Sequence, residues 1–336
     1  MIKNPSSVGK RVLICGGCGF MGSNFIRTLL ERHHDTRVVN VDALTYAANT
    51  ENLSGIDESR YSFVKGDIAD QNLMSKLMKS AEIVVNFAAE THVDRSIHTN
   101  ASAFIHTNVA GVHALLEALR ESPGVERMVH ISTDEVWGDV PLDSKERFTE
   151  ESPFRPNSPY AASKAAGDLL IRSYVKTHRL PVIVTHSVNN YGPRQFPEKI
   201  IPFFTMRALA DKPLPLYGTG QNMRDWIHVD DHTDAILTVL QKGEPGSVYN
   251  ISQQEECSNV FIAEQILAIL EKPKSLISYV EDRPAHDLKY AVDSSKIRSL
   301  GWKPRYSLKK HLPEVIRWFE AHQKIPSAEI NPHIGA

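Results

Sequence analysis

Short, unbroken apolar runs alternate with amphipathic stretches over the first two thirds of the chain. The apolar runs are Arg11-Val12-Leu13-Ile14-Cys15, Arg37-Val38-Val39-Asn40-Val41-Asp42, and the segments 61–68, 82–89, 128–132 and 181–188. Runs of this length without polar alternation suit strands buried on both faces of a parallel sheet. Between them, over 23–32, 69–79, 103–120 and 157–178, apolar residues recur at the three- and four-residue spacing of a helix face. Strand and helix in strict alternation predict an α/β fold built on a doubly wound parallel sheet. After Asn189-Asn190-Tyr191-Gly192-Pro193 the pattern changes, and Pro197, Pro202, Pro213, Pro215, Gly218 and Gly220 break the chain into short elements. The stretch from Asp225 through a helix ending near Gln241 reads as a return to the first lobe. Residues 1–190 with 226–250 are therefore expected to form one domain, 191–225 with 251–325 a smaller C-terminal α/β lobe, and 326–336 a poorly ordered tail.

Composition narrows the partners. The 336 residues are 41% hydrophobic and 23% charged with a net charge of −2, which favours neither nucleic acid nor an anionic membrane surface. No apolar run has the length of a bilayer span, and the first seven residues lack the apolar core of a signal peptide, so a cytoplasmic location is expected. Cys15 and Cys18 have the spacing of a redox pair or half a metal site. Their place at a strand end and inside a glycine-rich turn, with Cys257 far away, reads instead as packing, and no metal is expected.

The first strand runs into Gly16-Gly17-Cys18-Gly19-Phe20-Met21-Gly22 before the first helical stretch. Glycines at 16, 19 and 22 between strand and helix serve a dinucleotide pyrophosphate. They allow a tight turn, close backbone approach and close helix-on-strand packing, with the helix N-terminus toward the phosphates. The second strand ends on Asp42, roughly twenty residues on, where the adenosine ribose hydroxyls need an acceptor. That carboxylate repels a 2′-phosphate and no arginine follows it directly, which favours NAD over NADP. The alternative, an aspartate that only caps a turn, is disfavoured by its position at the strand end. Asp67 ends the third strand near the expected adenine site, and the small pair Ala88-Ala89 lets a cofactor lie against the fourth. His92, Asp94 and Arg95 suit catalysis or a solvated, subunit-facing loop equally well.

The stretch Ile131-Ser132-Thr133-Asp134-Glu135-Val136-Trp137-Gly138 carries a buried strand out into two adjacent carboxyl groups. Downstream, Tyr160 and Lys164 stand one helical turn apart and share a helix face. A phenol that acts as a base near neutral pH needs a positive charge beside it. A solvated acidic turn and a helix-surface pair are the plain alternatives.

These residues resemble the extended short-chain dehydrogenases/reductases, and within them the dTDP-glucose 4,6-dehydratases, from Arg11 to about Phe319. The more specific matches are Val41-Asp42-Ala43-Leu44-Thr45-Tyr46-Ala47, Ala88-Ala89-Glu90-Thr91-His92-Val93-Asp94-Arg95-Ser96, Ser132-Thr133-Asp134-Glu135-Val136 and Asn189-Asn190-Tyr191-Gly192-Pro193. Phe196-Pro197-Glu198-Lys199-Ile200-Ile201-Pro202, Arg224-Asp225-Trp226 and Asp282-Arg283-Pro284-Ala285-His286-Asp287 complete them. Sugar-nucleotide 4-epimerases share the glycines, Tyr160 and Lys164 but lack the Asp-Glu pair.

The helices over 103–120 and 157–178 carry more apolar residues than one sheet-facing stripe needs, as a helix-paired homodimer would require. The resemblance implies a Rossmann-like domain binding NAD and a nucleotide-sugar lobe. It implies that Tyr160, with Lys164, takes the proton of the sugar 4-hydroxyl while NAD⁺ oxidises C4 and Thr133 holds the forming ketone. Glu135 then removes the C5 proton, protonated Asp134 donates to the departing 6-hydroxyl, and the reduced cofactor reduces C6. By the same matching the cofactor would touch Phe20, Met21, Ala43, Leu44, Thr45, Ile68, Phe87, Thr91, Thr107 and Asn190. The substrate would touch Thr91, Thr133, Asn189, Lys199, Ile200, Pro215, Tyr217, Arg224, Asn259, Arg283 and His286. Departures from the family pattern are Trp137 for tyrosine, Cys18 for alanine, His186-Ser187-Val188 for Asn-Cys-Ser, and Arg194-Gln195 for a Tyr-His-like pair. They bear on substrate choice. UDP-glucose or UDP-N-acetylglucosamine dehydration, 4-epimerisation and an idle NAD-binding scaffold stand as alternatives.

Overall fold

The computed structural model describes residues 10–322, and the tail expected over 326–336 lies outside the described residues. In chain order come β1 (Arg11–Cys15), α1 (Phe20–Arg32), β2 (Arg37–Asp42), β3 (Tyr61–Lys65), α2 (Gln71–Met78), β4 (Ile83–Asn86), α3 (Val93–His98) and α4 (Ser102–Ile105). Next are α5 (Val112–Arg120), β5 (Arg127–Thr133), α6 (Pro159–His178), β6 (Val182–Ser187), β7 (Asn189–Tyr191), α7 (Ile200–Leu209), β8 (Leu214–Tyr217) and β9 (Met223–His228). The chain continues with α8 (Val229–Lys242), β10 (Val248–Ile251), β11 (Glu256–Ser258), α9 (Asn259–Ile269), β12 (Ile277–Val280), α10 (Ser295–Ser299) and α11 (Leu308–Ala321).

Seven parallel strands form the main sheet in the order β10-β6-β5-β4-β1-β2-β3. β1 lies between β2 and β4, and the chain winds away from it in opposite directions, which opens a crevice at the strand C-terminal ends. Side chains alternate across the sheet as a doubly wound fold requires. Val12 and Ile14 pack with Phe25, Ile26 and Leu29 of α1 and Ile236 and Leu240 of α8. Leu13 and Cys15 pack on the other face with Met74 and Met78 of α2, Leu115 and Leu119 of α5 and Ile171 of α6. The smaller lobe has its own core, where Phe203 and Phe204 of α7, Ile262 and Ile266 of α9 and Leu312 and Phe319 of α11 meet Trp226.

Three departures from expectation matter for the site. The helix expected over 103–120 is broken: His106–Gly111 forms a wide π-helical turn between α4 and α5. There the Asn108 carboxamide accepts from Glu90 N, donates to Glu90 O (both 3.0 Å) and donates to Ser163 Oγ (2.9 Å). This ties the turn to the loop after β4. Second, β9 pairs with β7 and β11 in a separate three-stranded sheet, with Trp226 packed in the core of the smaller lobe and Ile227 in that of the first. Third, Ile297 and Trp302, expected in the second lobe, are buried in the first, and Trp302 Nε1 donates to Asp231 O at 3.1 Å. The helix expected over 157–178 starts at Pro159 because Ser158 caps it, its hydroxyl accepting from Ala161 N, with proline at the first position. Among the described residues no helix is long and apolar enough to cross a membrane.

Candidate active site

The crevice at the C-terminal edge of the main sheet is a cleft of ≈ 690 Å³. Its floor is the turn between β1 and α1. Gly16 has φ +75°, and a Cβ there would meet Ala88 N at 2.6 Å, while a Cβ on Gly22 would meet Gly16 O at 2.4 Å, so both positions demand glycine. No side chain caps α1 or α7, and residues of both first turns line the cleft, leaving open N–H groups for phosphate oxygens. Asp42 is fixed by hydrogen bonds from Cys18 N (2.9 Å) and Leu44 N (2.8 Å), which oppose the upward pull of burial on its pKa. Asn190 Oδ1 is buried without a partner on the cleft wall. A glycine turn, an open helix end, a fixed carboxylate and an orphaned carboxamide oxygen are a donor and acceptor set that fits a dinucleotide.

Of the residues expected at the cofactor, Gly16, Gly19, Phe20, Met21, Gly22, Asp42, Ala43, Thr45, Asp67, Ile68, Phe87, Ala88, Ala89, Thr91, Thr107, Tyr160 and Asn190 line this one cleft. Leu44 does not. Its bond to Asp42 holds it at φ 56°, and its side chain packs on the hydrophobic core. Lys164 also lies behind the wall, donating to Ile131 O at 2.8 Å. Cys15 and Cys18 are buried free thiols, as packing residues would be. Among the described residues no cluster of His, Cys, Asp or Glu is arranged to hold a metal ion.

Thr133, Asp134 and Glu135 stand where β5 opens into a 3₁₀ turn, Asp134–Trp137. The Thr133 hydroxyl accepts from Glu135 N and donates to Asp134 Oδ1, each at 3.3 Å. Asp134 Oδ2 and Glu135 Oε2 are buried with no partner beside the cleft they line. The two carboxyls feel different fields. Burial, then Glu135 and Asp225, hold Asp134 well above the ordinary carboxylate range. Burial and Asp287 also raise Glu135, but Arg283, Lys199 and Arg224 oppose them and hold the rise back. The arrangement offers one protonated and one ionisable carboxyl side by side.

Tyr160 departs from expectation. Burial and the carboxyls of Glu135, Asp134 and Asp168 push its phenol up, a hydrogen bond with Thr133 opposes them, and the Lys164 ammonium is turned to the Ile131 carbonyl. A base role for Tyr160 therefore draws on the positive charge that oxidised nicotinamide carries when bound.

Asn189, Lys199 and Ile200 line the cleft with Thr91 and Thr133. Pro215, Tyr217, Arg224, Asn259, Arg283 and His286 do not, although Arg224 and Arg283 lie close enough to stabilise ionised Glu135. Arg224 is buried, donates to Met223 O (2.8 Å) and Asp287 O (2.9 Å) and stacks 4.2 Å over the Tyr290 ring. Arg283 donates to Asp94 Oδ1 at 3.1 Å, and its Nε is buried without a partner. His286 pairs through Nδ1 with Asp282 (2.5 Å) and packs against Tyr217; burial and the two arginines lower its pKa to about 4. Asn259 opens α9, and its N-cap is Ser258.

The site also holds residues that sequence reasoning did not assign. Asp94 joins Arg283 to Tyr217, whose hydroxyl donates to it at 3.4 Å. Glu198, on the cleft wall, accepts from Tyr46 Oη at 3.1 Å, and Arg95 stacks 3.7 Å over the same ring. His106 bonds Asp67 through Nε2 at 2.8 Å. Motif matching had marked Asp94, Tyr46, Arg95 and Glu198, but their role appears only from partners distant in sequence.

The family model described as GDP-mannose 4,6 dehydratase matches residues 13–315. The chain is 47% identical to the low-salt glycan biosynthesis protein Agl12 of Haloferax volcanii, covering 92% of this chain and 98% of that protein. It is 46% identical to the dTDP-glucose 4,6-dehydratase of Xanthomonas campestris pv. campestris, covering 93% of each. A solved dTDP-glucose 4,6-dehydratase from Streptomyces venezuelae, with NAD and TYD bound, matches with a TM-score of 0.89 at 44% identity over 93% of this chain and 98% of that one. The match over nearly the whole length, together with the glycine turn and the Asp-Glu pair, establishes that the chain belongs to the dTDP-glucose 4,6-dehydratase family.

Proposed function

We propose that this protein carries out the NAD-dependent dehydration of a nucleotide-hexose, dTDP-D-glucose, to its 4-keto-6-deoxy sugar. The observation that carries the reading is the pair Asp134 and Glu135, adjacent and buried beside the cleft, where burial raises both carboxyls but only Glu135 is opposed by Arg283 and Lys199. Loss of water across C5 and C6 needs a base for the C5 proton and an acid for the 6-hydroxyl in the same place. Glu135 takes the first role through its unpaired Oε2 and Asp134 the second. Bound NAD supplies the two-electron acceptor that makes C4 a ketone, acidifies C5 and finally returns the electrons at C6. Tyr160 receives the proton of the 4-hydroxyl, and Thr133, turning its one hydroxyl proton from Asp134 Oδ1 while still accepting from Glu135 N, donates to the C4 oxygen.

In this reading Arg224, Arg283, His286, Asn259 and Asn189 hold the pyrophosphate, with Lys199 and Ile200 at the open end of α7 and Pro215 and Tyr217 along the nucleotide. Arginine suits that task because its planar donors meet phosphate oxygens in pairs. The substrate lobe would comprise 191–228, β11, β12, α9 and α11, and the cofactor domain the main sheet with its helices. A homodimer paired through α4, α5 and α6 is supported by Ile105 and Leu169, 53% and 51% exposed on those helices. Light scattering at micromolar protein should give twice the chain mass; a monomer mass contradicts the pairing.

Glu135→Gln tests the assignment of the base. Water loss should fall by roughly 10²–10⁴-fold while cofactor binding persists and reduced cofactor accumulates on adding dTDP-glucose. Dehydration at the wild-type rate would put the base elsewhere.

A further inference from the structure

Behind the catalytic wall lies a buried polar cluster that the reaction above leaves unused. Asp168 stands one helical turn beyond Lys164 on α6 and is only 5% exposed. Its Oδ2 accepts from Ser132 Oγ at 2.7 Å and from His186 Nε2 at 3.0 Å. Its Oδ1 has no hydrogen-bond partner and lies 3.9 Å from His130 Nε2, itself 3.5 Å from the Lys164 ammonium. Asn86 Nδ2 meets His130 Nδ1 at 3.0 Å, which leaves the neutral ring's proton on Nε2, toward Asp168. His186 is seated by Trp137, ring centroids 4.8 Å apart, so two departures from the family pattern meet behind this carboxylate.

We propose that Asp168, aimed by Ser132 and His186, is the positioning residue that keeps the Lys164 side chain charged and directed at the Ile131 carbonyl beneath Tyr160. An ammonium at full burial needs a counter-charge or it sheds its proton. The groups facing Lys164 leave one candidate. From β5 comes His130, neutral with its pKa lowered to about 3; from β6 comes His186, which bonds Asp168; the carboxyls of Asp134, Glu135 and Asp168 all raise Tyr160, but among the described residues only Asp168 also acts on Lys164. Asp168 is the one group that raises the lysine, whose pKa burial lowers to about 8. Its own carboxyl is held low by the His186 hydrogen bond against burial, so it stays ionised wherever the lysine titrates.

The proposal rests on the dehydratase reading only for the use to which Lys164 is put. The test follows Lys164 in NAD-loaded, ¹³C-lysine-labelled protein by NMR, alongside the pH profile of kcat with dTDP-glucose. Asp168→Asn should lower the Lys164 titration midpoint by about one unit and draw the alkaline limb of kcat down with it, a roughly five-fold loss near pH 8. Asp168→Glu should restore both. Loss of activity with the midpoint unmoved would make Asp168 a structural residue and overturn the proposal. A moved midpoint with an unmoved limb would uphold it and overturn the catalytic use of Lys164. Should the asparagine variant not fold, the wild-type protein answers the same question. In protein labelled instead with ¹³C-aspartate, the Asp168 carboxyl signal must step as Lys164 loses its proton, and no such step overturns the proposal.

Discussion

Asp94 has both carboxylate oxygens engaged, one by Arg283 at 3.1 Å and the other by the Tyr217 hydroxyl at 3.4 Å. It therefore holds two proposed substrate residues without facing substrate itself. Asp94→Asn should raise the KM for the sugar nucleotide about tenfold, the loss of roughly 1.4 kcal/mol of orientation, with kcat changed little. Steady-state kinetics decide it, and an unchanged KM contradicts the role. Sequence reasoning found Asp134, Glu135, Tyr160 and Lys164 because each pair is adjacent or one helical turn apart. It could not assign Asp94 or Glu198, whose partners Arg283 and Tyr46 lie 189 and 152 positions away. Leu44 offers its N–H to Asp42 while its side chain packs on the core, a division that no spacing in the sequence reveals. The pKa of Tyr160 was likewise out of reach, since the direction in which Lys164 points depends on the Ile131 carbonyl.

At the scale of elements, the turn joining β1 to α1 makes the firmest demand. A methyl at Gly22 would meet Gly16 O at 2.4 Å and Gly17 Cα at 2.8 Å, backbone on both sides. Gly22→Ala should cost about 1–3 kcal/mol and weaken NAD binding tenfold or more, seen as a lower Tm and a smaller rise in Tm on adding NAD. A variant with wild-type Tm and NAD response would mean that the turn is slack. The six strands named from the sequence all form, five of them buried as their apolar runs imply, while β3 lies half exposed at the edge of the sheet. The π-helical turn at His106–Gly111 left no such mark. It widens to let Asn108 reach Glu90 and Ser163, a tertiary requirement invisible to periodicity. The three-stranded sheet of β7, β9 and β11 was also missed, since strands of three to six residues show too few positions to declare a period.

Across the whole molecule, the chain crosses between lobes more often than its composition suggests. α8 and β10 return to the first lobe, and Ile297 and Trp302 return again after the second lobe has been built. The acid pair on the first lobe is thereby faced by Arg224 and Arg283 from the second, whose charges favour ionised Glu135. Catalysis in this account is a property of the two lobes together. The most direct test is the mass of the product formed when the NAD-loaded protein is given dTDP-glucose, with UDP-glucose and UDP-N-acetylglucosamine as comparisons. The account predicts a dTDP sugar lighter by one water, carrying a 4-keto group, with the cofactor oxidised at the end. A product isomeric with the substrate, or no turnover of dTDP-glucose, would contradict it.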